Sequence, residues 1–550
     1  LGVGESRFHR RERLWLHRDR TGYRLQSLDE RTTSRFERFD SDGPAWLTRI
    51  EDGYKNAVVL RYDRGRLAEI VDTAGRVVSV RWQRIGAHDR IAGLRMRDGG
   101  VAWRHRYSYD DKGMLIESVD ALNQLEQFAY DDRGRMVATT LKTGITFTYD
   151  YHPDGRCAAS SGPDGLYAIR LRYDLAKRRT EVDAVEPRVY DWNDLGLMTR
   201  ESTPDGTLLV ERAYDPDGYK IAEVDGAGQG TRFWHDEYGN LTRVDDAEDR
   251  TTTIENAQGR PVKITRPSGA VTQYAYDGAG SVTAIYGATG ASFTIERDER
   301  GRARRVLGPA GPMVEYDYDG HHNVAVKRDA CGRESTFRYD AMGRVVMRTS
   351  PDGSVTRVQR DPLGRHIQVH HGDRTSERFA YDEMGRIVEH VDRQRQTWRY
   401  SYGGMGVLRE LYEPTGARWK IDYTPFERLR QITNPAGETH SLEHDAAGRI
   451  IGERTFDGRT LRYGYNRAGC MARVTHDDGS WRQYDYNNDR RRILDECSDG
   501  SRVEYKRDHL GNLREIVSCA AGADKPSSRI ALTRDQLGRV VREEQDGLAL

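Results

Sequence analysis

Residues 336–356 read TFRYDAMGRVVMRTSPDGSVT, and this stretch decides the fold. Asp340 stands three residues before Gly343, and a second glycine, Gly353, follows ten residues later. Because an aspartate side chain can bond nearby backbone N–H groups and glycine accepts a positive φ, both places predict tight turns. Before the first turn, Phe337 and Tyr339 alternate with polar residues, which is typical of a half-buried antiparallel strand. The stretch therefore predicts a hairpin unit with two turns and two strands of roughly seven residues each.

The same unit recurs along the chain with a constant period. Anchor positions at 340, 361 and 382 set this period at twenty-one residues, and equal steps define thirteen units between positions 256 and 508. Eleven of these units carry Asp or Asn at the anchor. Glycine stands three residues after the anchor in ten units and thirteen residues after it in ten, although only 56 of the 550 residues are glycine. The predicted turn residues include Asp131, Gly134, Asp277, Gly280, Asp340, Gly343, Asp361, Gly364, Asp382, Gly385, Asp445, Gly448, Asp508 and Gly511. The predicted sheet aromatics include Tyr130, Tyr276, Tyr339, Tyr381, Tyr400, Tyr465 and Tyr486.

Outside these thirteen units the spacing is looser. Taking Asp131, Asp150, Asp174, Asp191 and Asp215 as anchors gives uneven steps, but the whole span from 131 to 215 equals four periods. After position 508 the next anchor stands at 535, six positions later than the period predicts, and these extra residues predict a loop around 521–526. We therefore expect three regions: a β lead-in over 1–60, irregular repeats over 61–255, and regular repeats over 256–550.

Composition limits the function classes. Only 36% of residues are hydrophobic and the mean hydropathy is −0.83, which is too polar for a thick core. The 87 Lys and Arg residues balance the 87 Asp and Glu residues, so the basic excess of a nucleic-acid-binding protein is missing. No apolar run approaches the roughly 20 residues of a membrane helix. Chained hairpins make a long ribbon that twists, so we predict an all-β fold whose antiparallel hairpin repeats coil into a hollow shell.

Several strings imitate catalytic or metal motifs, and we expect none of them to act as one. The segment 440–444 matches the HxxEH zinc-peptidase string, but on a strand His440 and His444 lie about 13 Å apart. The pairs at 321–322 and 370–371 point different ways, which leaves only weak surface metal binding open. The glycine-rich segment 226–230 lacks the strand and helix of a phosphate loop. Because aspartate recurs at every turn for a conformational reason, no glycosidase dyad stands out.

Other features are interpreted as structural. The five cysteines form no CxxC pair and are expected to be packing thiols: Cys157, Cys331, Cys470, Cys497 and Cys519. The basic segment 7–13 is expected to be a solvated strand edge, with anion or nucleic-acid binding as the alternative. The chain starts at Leu1 without a leader pattern, so we expect it to be a piece of a longer protein. We expect no catalytic residue and no cofactor.

The YDxxGR strings at 130–135, 339–344 and 381–386 resemble RHS/YD repeats, and the resemblance covers essentially the whole chain. Segments 47–53 and 60–63 resemble the lead-in of bacterial Rhs cores. The resemblance implies a β-sheet that spirals into a hollow shell. In bacterial Rhs and insecticidal toxin-complex C proteins, such a shell encloses a C-terminal toxin. Related YD shells occur in wall-associated bacterial toxins and in teneurins.

The resemblance also implies a function. We expect a non-enzymatic shell for a toxin cargo, made in the bacterial cytoplasm and delivered by type VI secretion through spike and PAAR proteins, with an immunity protein that binds the toxin. A self-cleavage segment beginning with Asp-Pro would be expected in an Rhs core, but residues 361–365 lie mid-repeat and are interpreted as an ordinary turn. The sequence contains no PAAR region, self-cleavage segment or toxin domain. The alternative is a cell-surface or secreted module that binds carbohydrate or protein.

Overall fold

A computed structural model describes residues 1–39, 43–96, 104–288, 290, 292–445, 447–488, 490–508, 511–523, 525–535 and 539–549. These residues form β-strands joined by turns, and the one helical element among them is a single 3-10 turn at Pro163–Gly165. The prediction of an all-β fold built from antiparallel hairpin repeats is confirmed. The predicted loop over 521–526 includes Asp524, which lies outside the described residues.

The described part of the chain contains 52 strands, most of them five or six residues long. The first 25 are β1 (Ser6–His9), β2 (Leu14–Arg18), β3 (Gly22–Ser27), β4 (Thr33–Arg38), β5 (Ala45–Glu51), β6 (Ala57–Asp63), β7 (Arg66–Val71), β8 (Val77–Ile85), β9 (His88–Met96), β10 (His105–Tyr109), β11 (Leu115–Asp120), β12 (Leu125–Tyr130), β13 (Met136–Thr140), β14 (Thr146–Tyr151), β15 (Cys157–Ser161), β16 (Ile169–Asp174), β17 (Arg179–Asp183), β18 (Arg188–Trp192), β19 (Met198–Ser202), β20 (Leu208–Tyr214), β21 (Lys220–Asp225), β22 (Gly230–His235), β23 (Leu241–Asp245), β24 (Thr251–Ala257) and β25 (Arg260–Thr265).

The other 27 strands follow at the period of the regular repeats. They are β26 (Val271–Tyr276), β27 (Val282–Tyr286), β28 (Ser292–Arg297), β29 (Ala303–Gly308), β30 (Gly311–Tyr318), β31 (Val324–Asp329), β32 (Glu334–Tyr339), β33 (Val345–Thr349), β34 (Val355–Arg360), β35 (His366–His370), β36 (Ser376–Tyr381), β37 (Ile387–Val391), β38 (Thr397–Gly403), β39 (Val407–Tyr412), β40 (Arg418–Tyr423), β41 (Leu429–Thr433), β42 (Thr439–His444), β43 (Ile450–Arg454), β44 (Thr460–Tyr465), β45 (Met471–His476), β46 (Trp481–Tyr486), β47 (Arg492–Cys497), β48 (Arg502–Arg507), β49 (Leu513–Cys519), β50 (Ser528–Arg534), β51 (Val540–Gln545) and β52 (Leu548–Ala549).

Most of the described strands pair antiparallel with the strands directly before and after them in the chain. In the repeat around Asp340, β32 pairs with β33 across the anchor turn and with β31 on its other side. The register shifts by one residue between Arg338 and Tyr339, and the same bulge precedes the anchor turns after β36, β38, β40, β42 and β44. The strands are shorter than the seven residues expected, because each turn with its closing residues takes up about five residues of the period.

The chain divides into two compact units. Unit 1 comprises Leu1–Leu166, Ala275–Ile285 and Ser292–Arg418, and unit 2 comprises Tyr167–Tyr274, Tyr286–Ala291 and Trp419–Leu550. The three regions expected from sequence regularity remain a prediction about repeat spacing, since the units are defined by spatial contacts. Each unit combines an early and a late stretch of the chain, so residues far apart in sequence meet inside each unit.

Few side chains are fully buried. Among the described residues the buried apolar ones are Leu166, Ala270, Ala284, Val517 and Cys519. The accessible surface is 32203 Å², whereas a compact folded protein of 62.8 kDa exposes roughly 20,000 Å². This excess means that the sheets are a single layer thick, with solvent reaching both faces, which explains how the fold tolerates so polar a composition.

The anchors chosen from sequence at Asp150, Asp174 and Asp191 are wrong, because all three residues lie inside strands. The turns expected at Asp150 and Asp191 close instead on His152 and Asn193, whose N–H groups donate to the carbonyls of residues 156 and 197. The glycines with positive φ, Gly155 and Gly196, fix these positions. The step from position 131 to the true anchor at 152 is therefore one full period, and this repeat is more regular than the Tyr-Asp pairs indicated.

Candidate functional site

The anchor turn is locked by its aspartate. In the repeat of Asp340, the backbone N–H of Gly343 donates to the Asp340 carbonyl at 2.9 Å, and the Asp340 N–H donates to the Arg344 carbonyl at 2.9 Å. The carboxylate Oδ1 accepts the N–H groups of Met342 and Arg344, and Oδ2 accepts Arg344 Nε at 2.7 Å. Burial alone would raise the pKa of Asp340, but the hydrogen bonds from Arg344 outweigh it and lower this pKa. One carboxylate thus closes the turn and holds the arginine.

The structure places all the turn residues named from sequence in such turns. The N–H of each named anchor aspartate donates to the carbonyl four residues later. The glycines three residues after these anchors have φ between 75° and 93°: Gly134, Gly280, Gly343, Gly364, Gly385, Gly448 and Gly511. Where a repeat lacks this glycine, the replacing His322, Glu427 and Arg490 still have φ of 70°, 55° and 58°. The backbone shape of the turn is therefore kept even where its usual residue is absent.

The tyrosine before the anchor is a hydrogen-bond donor between hairpins. Tyr339 Oη donates to the Val324 carbonyl at 2.7 Å, and Tyr402 Oη donates to the Ile387 carbonyl at 2.9 Å, in each case 15 residues earlier. The backbone ladder between β37 and β38 ends at Glu389, so the carbonyl of Ile387 lies beyond the last paired residue. The tyrosine hydroxyl satisfies the carbonyl that the splayed strands leave unpaired. Burial raises the pKa of both tyrosines.

This contact recurs across the chain, in most cases with the same separation of 15 residues. The tyrosines that donate to a carbonyl at or close to this separation are Tyr62, Tyr109, Tyr151, Tyr214, Tyr318, Tyr339, Tyr381, Tyr402, Tyr465 and Tyr486. Arginine takes over at Arg297, Arg360 and Arg507, whose guanidinium groups donate to the equivalent carbonyls. Of the other aromatics named from sequence, Tyr130 and Tyr276 directly precede anchor turns, while Tyr400 lies two residues before the donor Tyr402.

The arginine of the anchor turn lies over the tyrosine of the next repeat. The guanidinium carbons of Arg365 and Arg386 lie 4.6 and 4.9 Å from the ring centroids of Tyr381 and Tyr402. Cation–π contact at this distance is attractive, and the same arginines also pair with Asp361 and Asp382. Equivalent stacking joins Arg135 to Tyr151, Arg302 to Tyr318, and Arg449 to Tyr465. We call this Asp–Arg–Tyr chain the repeat clamp, because it links one hairpin to the next.

Inside unit 1, residues more than two hundred positions apart in sequence also touch. Arg76 Nη1 donates to the Met342 carbonyl at 2.8 Å, and Asn56 Nδ2 donates to the Arg300 carbonyl at 3.0 Å. Tyr54 Oη bonds the anchor carboxylate of Asp277. Side chains of the early segment thus donate to the tips of anchor turns in the late segment. We call these contacts the unit 1 seam.

Unit 2 contains its own seam. Arg428 donates Nε and Nη2 to the carboxylate of Glu186, which lies 242 residues earlier. Tyr167 donates its backbone N–H to the Pro425 carbonyl at 3.0 Å, and Arg490 Nε donates to Asp225 at 3.0 Å. The bond to Arg490 and those from the backbone N–H groups of its own turn outweigh burial and lower the pKa of Asp225. In both units the separations are close to twelve repeats.

Buried carboxylates are held by arginines and a lysine. Asp495 is 1% exposed and accepts Arg482, Arg492 and Tyr505 at Oδ2. Glu51, in unit 1, accepts Arg35 and Arg49 at 3.0 and 2.8 Å. Burial would raise the pKa of Glu51, but these hydrogen bonds outweigh it and lower the pKa to about 2. Asp120 is bound in the same way by Lys142. Such ion pairs replace apolar packing in a sheet that has little of it.

The motif-like strings lie in strands and turns of the repeats. His440 and His444 lie on β42 as expected, and His440 faces Glu453 at 3.3 Å and the ring of Phe456. His371 and His390 share the carboxylate of Glu377. Within the described ranges, no group of three or more His, Cys, Asp or Glu side chains has the geometry to hold a metal ion. The five cysteines are unpaired by disulfides, and the segment 361–365 forms an ordinary anchor turn.

Comparisons with known proteins connect these repeats to two described families. The family described as RHS Repeat matches residues 109–146, 256–292 and 318–355, and the family described as Teneurin YD-shell matches residues 338–458. A curated relative is the "Probable deoxyribonuclease RhsB" of Dickeya dadantii (strain 3937), 26% identical over 302 residues, which cover 50% of this chain and 20% of that protein. The chain therefore spans about a fifth of the length of that relative.

Solved structures share the fold. The crystal structure of TcdB2-TccC3 superposes with a TM-score of 0.69 over 95% of this chain and 38% of that chain, at 13% identity. The same complex without its hypervariable C-terminal region gives a TM-score of 0.66 over 94% of this chain and 34% of that chain, also at 13% identity. No helix among the described residues has the length and apolar character needed to cross a bilayer.

Proposed function

Because this chain is an RHS/YD-repeat shell protein, we propose that it is the non-enzymatic wall of an Rhs-type polymorphic toxin and encloses a C-terminal toxin domain as cargo. The observation that carries the proposal is the pair of seams. A ribbon whose hairpins meet again after about twelve repeats can form a continuous barrier, whereas an extended solenoid has no such contacts. A closed barrier would keep a toxin away from the cytoplasm of the cell that makes it.

The repeat clamps support the same role. They satisfy polar backbone groups between successive hairpins and replace the missing apolar core by ion pairs and ring contacts. A wall of this kind needs no catalytic group, and the interior face stays available for cargo. Delivery by type VI secretion through spike and PAAR proteins, and an immunity protein directed at the toxin, are parts of this proposal that follow from the RHS/YD resemblance.

Protease protection tests the enclosure. The chain is purified together with its toxin domain and digested beside the free toxin domain. We expect the enclosed toxin to survive conditions that degrade the free one. Arg428→Glu, which sets two carboxylates against each other at the unit 2 seam, should make the cargo digestible. Arg430→Glu, at an exposed position on the strand that follows, is the matched control and should preserve protection. Equal digestion of free and enclosed toxin would refute the proposal.

A second candidate function is recognition of carbohydrate or protein at a cell surface. It is favoured by Trp46, Trp192 and Trp234, each of which is more than a third exposed. Exposed indole rings are typical of binding surfaces. However, two arginines lie near the Trp234 ring, the closer with its guanidinium carbon 4.6 Å from the centroid, so part of that surface is already occupied. Binding of the isolated chain on a glycan array, lost in Trp46→Ala or Trp192→Ala, would support this candidate over the container.

A further inference from the structure

Unit 2 contains a cleft with an unusual concentration of arginine. The cleft has a volume of about 1040 Å³ and lies where the turns that follow β23 and β25 approach the turns that follow β48 and β50. The arginines that line it are Arg250, Arg266, Arg491, Arg514, Arg534 and Arg539. The acids that line it are Asp246, Asp508 and Asp535. Its described lining therefore carries six positive and three negative charges, an excess of three positive charges in a chain whose net charge is zero.

The surroundings of the cleft make this excess stronger. Arg491 and Arg507 both donate Nη1 to a single carbonyl, that of Gly511. Burial lowers the pKa of Arg507, and the nearby charge of Arg491 lowers it further. Asp246 and Asp535 are bound by the arginines of their own turns, Arg250 and Arg539. These ion pairs within turns do not account for the remaining arginines.

Two of these arginines stand out as available for a ligand. Arg514 is exposed at the start of β49, with no ion pair or hydrogen bond found for it in the described part of the chain. Among the described residues, the one hydrogen bond found for the Arg266 side chain is the Nη1 bond of 3.0 Å to the Thr272 hydroxyl. Guanidinium groups bind phosphate and carboxylate through paired N–H bonds. Thr252, Ser268, Asn512 and Thr533 add neutral hydrogen-bonding groups to the same walls.

We propose that this cleft is a binding site for a polyphosphate chain, either free or as the phosphate chain of a nucleotide. Its volume exceeds that of a single phosphate and several arginines line it, so an extended anion with several charges fits it best. Of the described residues that line the cleft, none is aromatic, so no stacking platform for a base is present and recognition rests on the phosphates. The site is independent of any cargo, because every group that forms it belongs to the wall.

Calorimetric titration of the whole chain with tripolyphosphate tests the site. We expect saturable binding that weakens as salt rises, because charge neutralisation releases counterions. Arg514→Gln and Arg266→Gln should each weaken binding about ten-fold or more, the usual effect of losing a charge-assisted hydrogen bond. The control Arg459→Gln removes a 72% exposed arginine on a different turn of unit 2 and should bind tripolyphosphate like the parent chain.

Titrations with two other ligands, ATP and a polyglutamate peptide, identify the ligand class and can refute the proposal. ATP binding as tightly as tripolyphosphate supports the site with the phosphate chain as its determinant, and tighter binding of ATP supports it with a nucleotide as the source. A polyglutamate peptide that binds as tightly as tripolyphosphate overturns the assignment to phosphate. Absence of binding, or equal affinity in Arg514→Gln, Arg266→Gln and Arg459→Gln, overturns the site. A thermal unfolding curve for each variant shows whether it is folded, so lost binding in a folded Arg514→Gln is informative by itself.

Discussion

Removal of a single hydroxyl at Tyr402 tests the repeat clamp. In Tyr402→Phe the ring remains beneath Arg386, but the 2.9 Å hydrogen bond to the Ile387 carbonyl is lost. That carbonyl lies beyond the end of the ladder between β37 and β38, so no backbone N–H replaces the hydroxyl. A typical net hydrogen bond contributes about 1 kcal/mol, and an acceptor left half-buried without a partner places the loss at or above this value.

The matched control is on the same strand. Tyr400 is half-buried like Tyr402, but no hydrogen bond of its hydroxyl is found among the described residues. Tyr400→Phe should therefore change stability by less than about 0.5 kcal/mol. Because a long repeat array need not unfold in one step, the assay is hydrogen exchange of peptides that cover β37 and β38. A loss of about 1 kcal/mol predicts about five-fold faster exchange in Tyr402→Phe. Equal exchange in the two variants would refute the proposed role of the clamp.

Three further predictions concern turns and buried charges. Gly343→Ala and Gly353→Ala both force alanine to a φ near 80°, which costs roughly 1 kcal/mol each. A Cβ at position 343 would also lie 2.7 Å from Arg76 Nη1, whereas a Cβ at position 353 meets open space. The midpoint of denaturant unfolding should therefore fall further in Gly343→Ala, and the reverse order would contradict the unit 1 seam. The pKa of Glu51 is lowered to about 2 from 4.5, so the stability that its ionised form contributes is present above pH 4.5 and is lost as pH falls toward 2. Glu51→Gln should therefore weaken the pH dependence of hydrogen exchange in β5 over this range. An unchanged pH dependence would contradict the stabilising role of Glu51. Asp495→Ala removes a carboxylate that is 1% exposed and its hydrogen bonds to Arg482 and Arg492, which are themselves part exposed. It should destabilise β46 to β48 by about 1 kcal/mol or more, because a hydrogen bond to a charged group contributes at least this much, and hydrogen exchange of peptides from these strands measures the loss. A change below about 0.5 kcal/mol would contradict the stabilising role of Asp495.

The regular period predicts most of the fold. The alternation of aromatic and polar residues before Tyr339 is a local signal, because the face to which a strand residue points follows from its position in the strand. The recurring Asp and Gly positions represented by Asp340 and Gly343 are also local signals, because the conformation of a turn depends on its own few residues. Where a Tyr-Asp pair and a glycine indicate different turn positions, as at Asp150 and Gly155, the glycine marks the turn. The turn requires a positive φ, which glycine adopts readily and most other residues do not. The glycine column is therefore the more reliable guide to register.

The clamp and the seams were not predicted from sequence, for different reasons. The arginine four residues after the anchor occurs in eight of the thirteen regular units, so this column was a readable signal that the clamp existed. Its acceptor and ring partners, however, depend on how neighbouring hairpins splay. The seams join residues such as Glu186 and Arg428 whose meeting depends on the accumulated twist of many strands. Small differences in twist per strand add up over twelve repeats, and no local pattern records the sum.

Small-angle scattering of the purified chain in solution tests the central claim most directly. A solid globule of 550 residues would have a radius of gyration of roughly 24 Å. If the single-layer sheets enclose a space for cargo, the radius of gyration exceeds this value and the pair-distance distribution has the skewed form of a hollow particle. A radius of gyration equal to that of the solid globule, with a solid-sphere distribution, would contradict the account, as would the long tail of an extended ribbon.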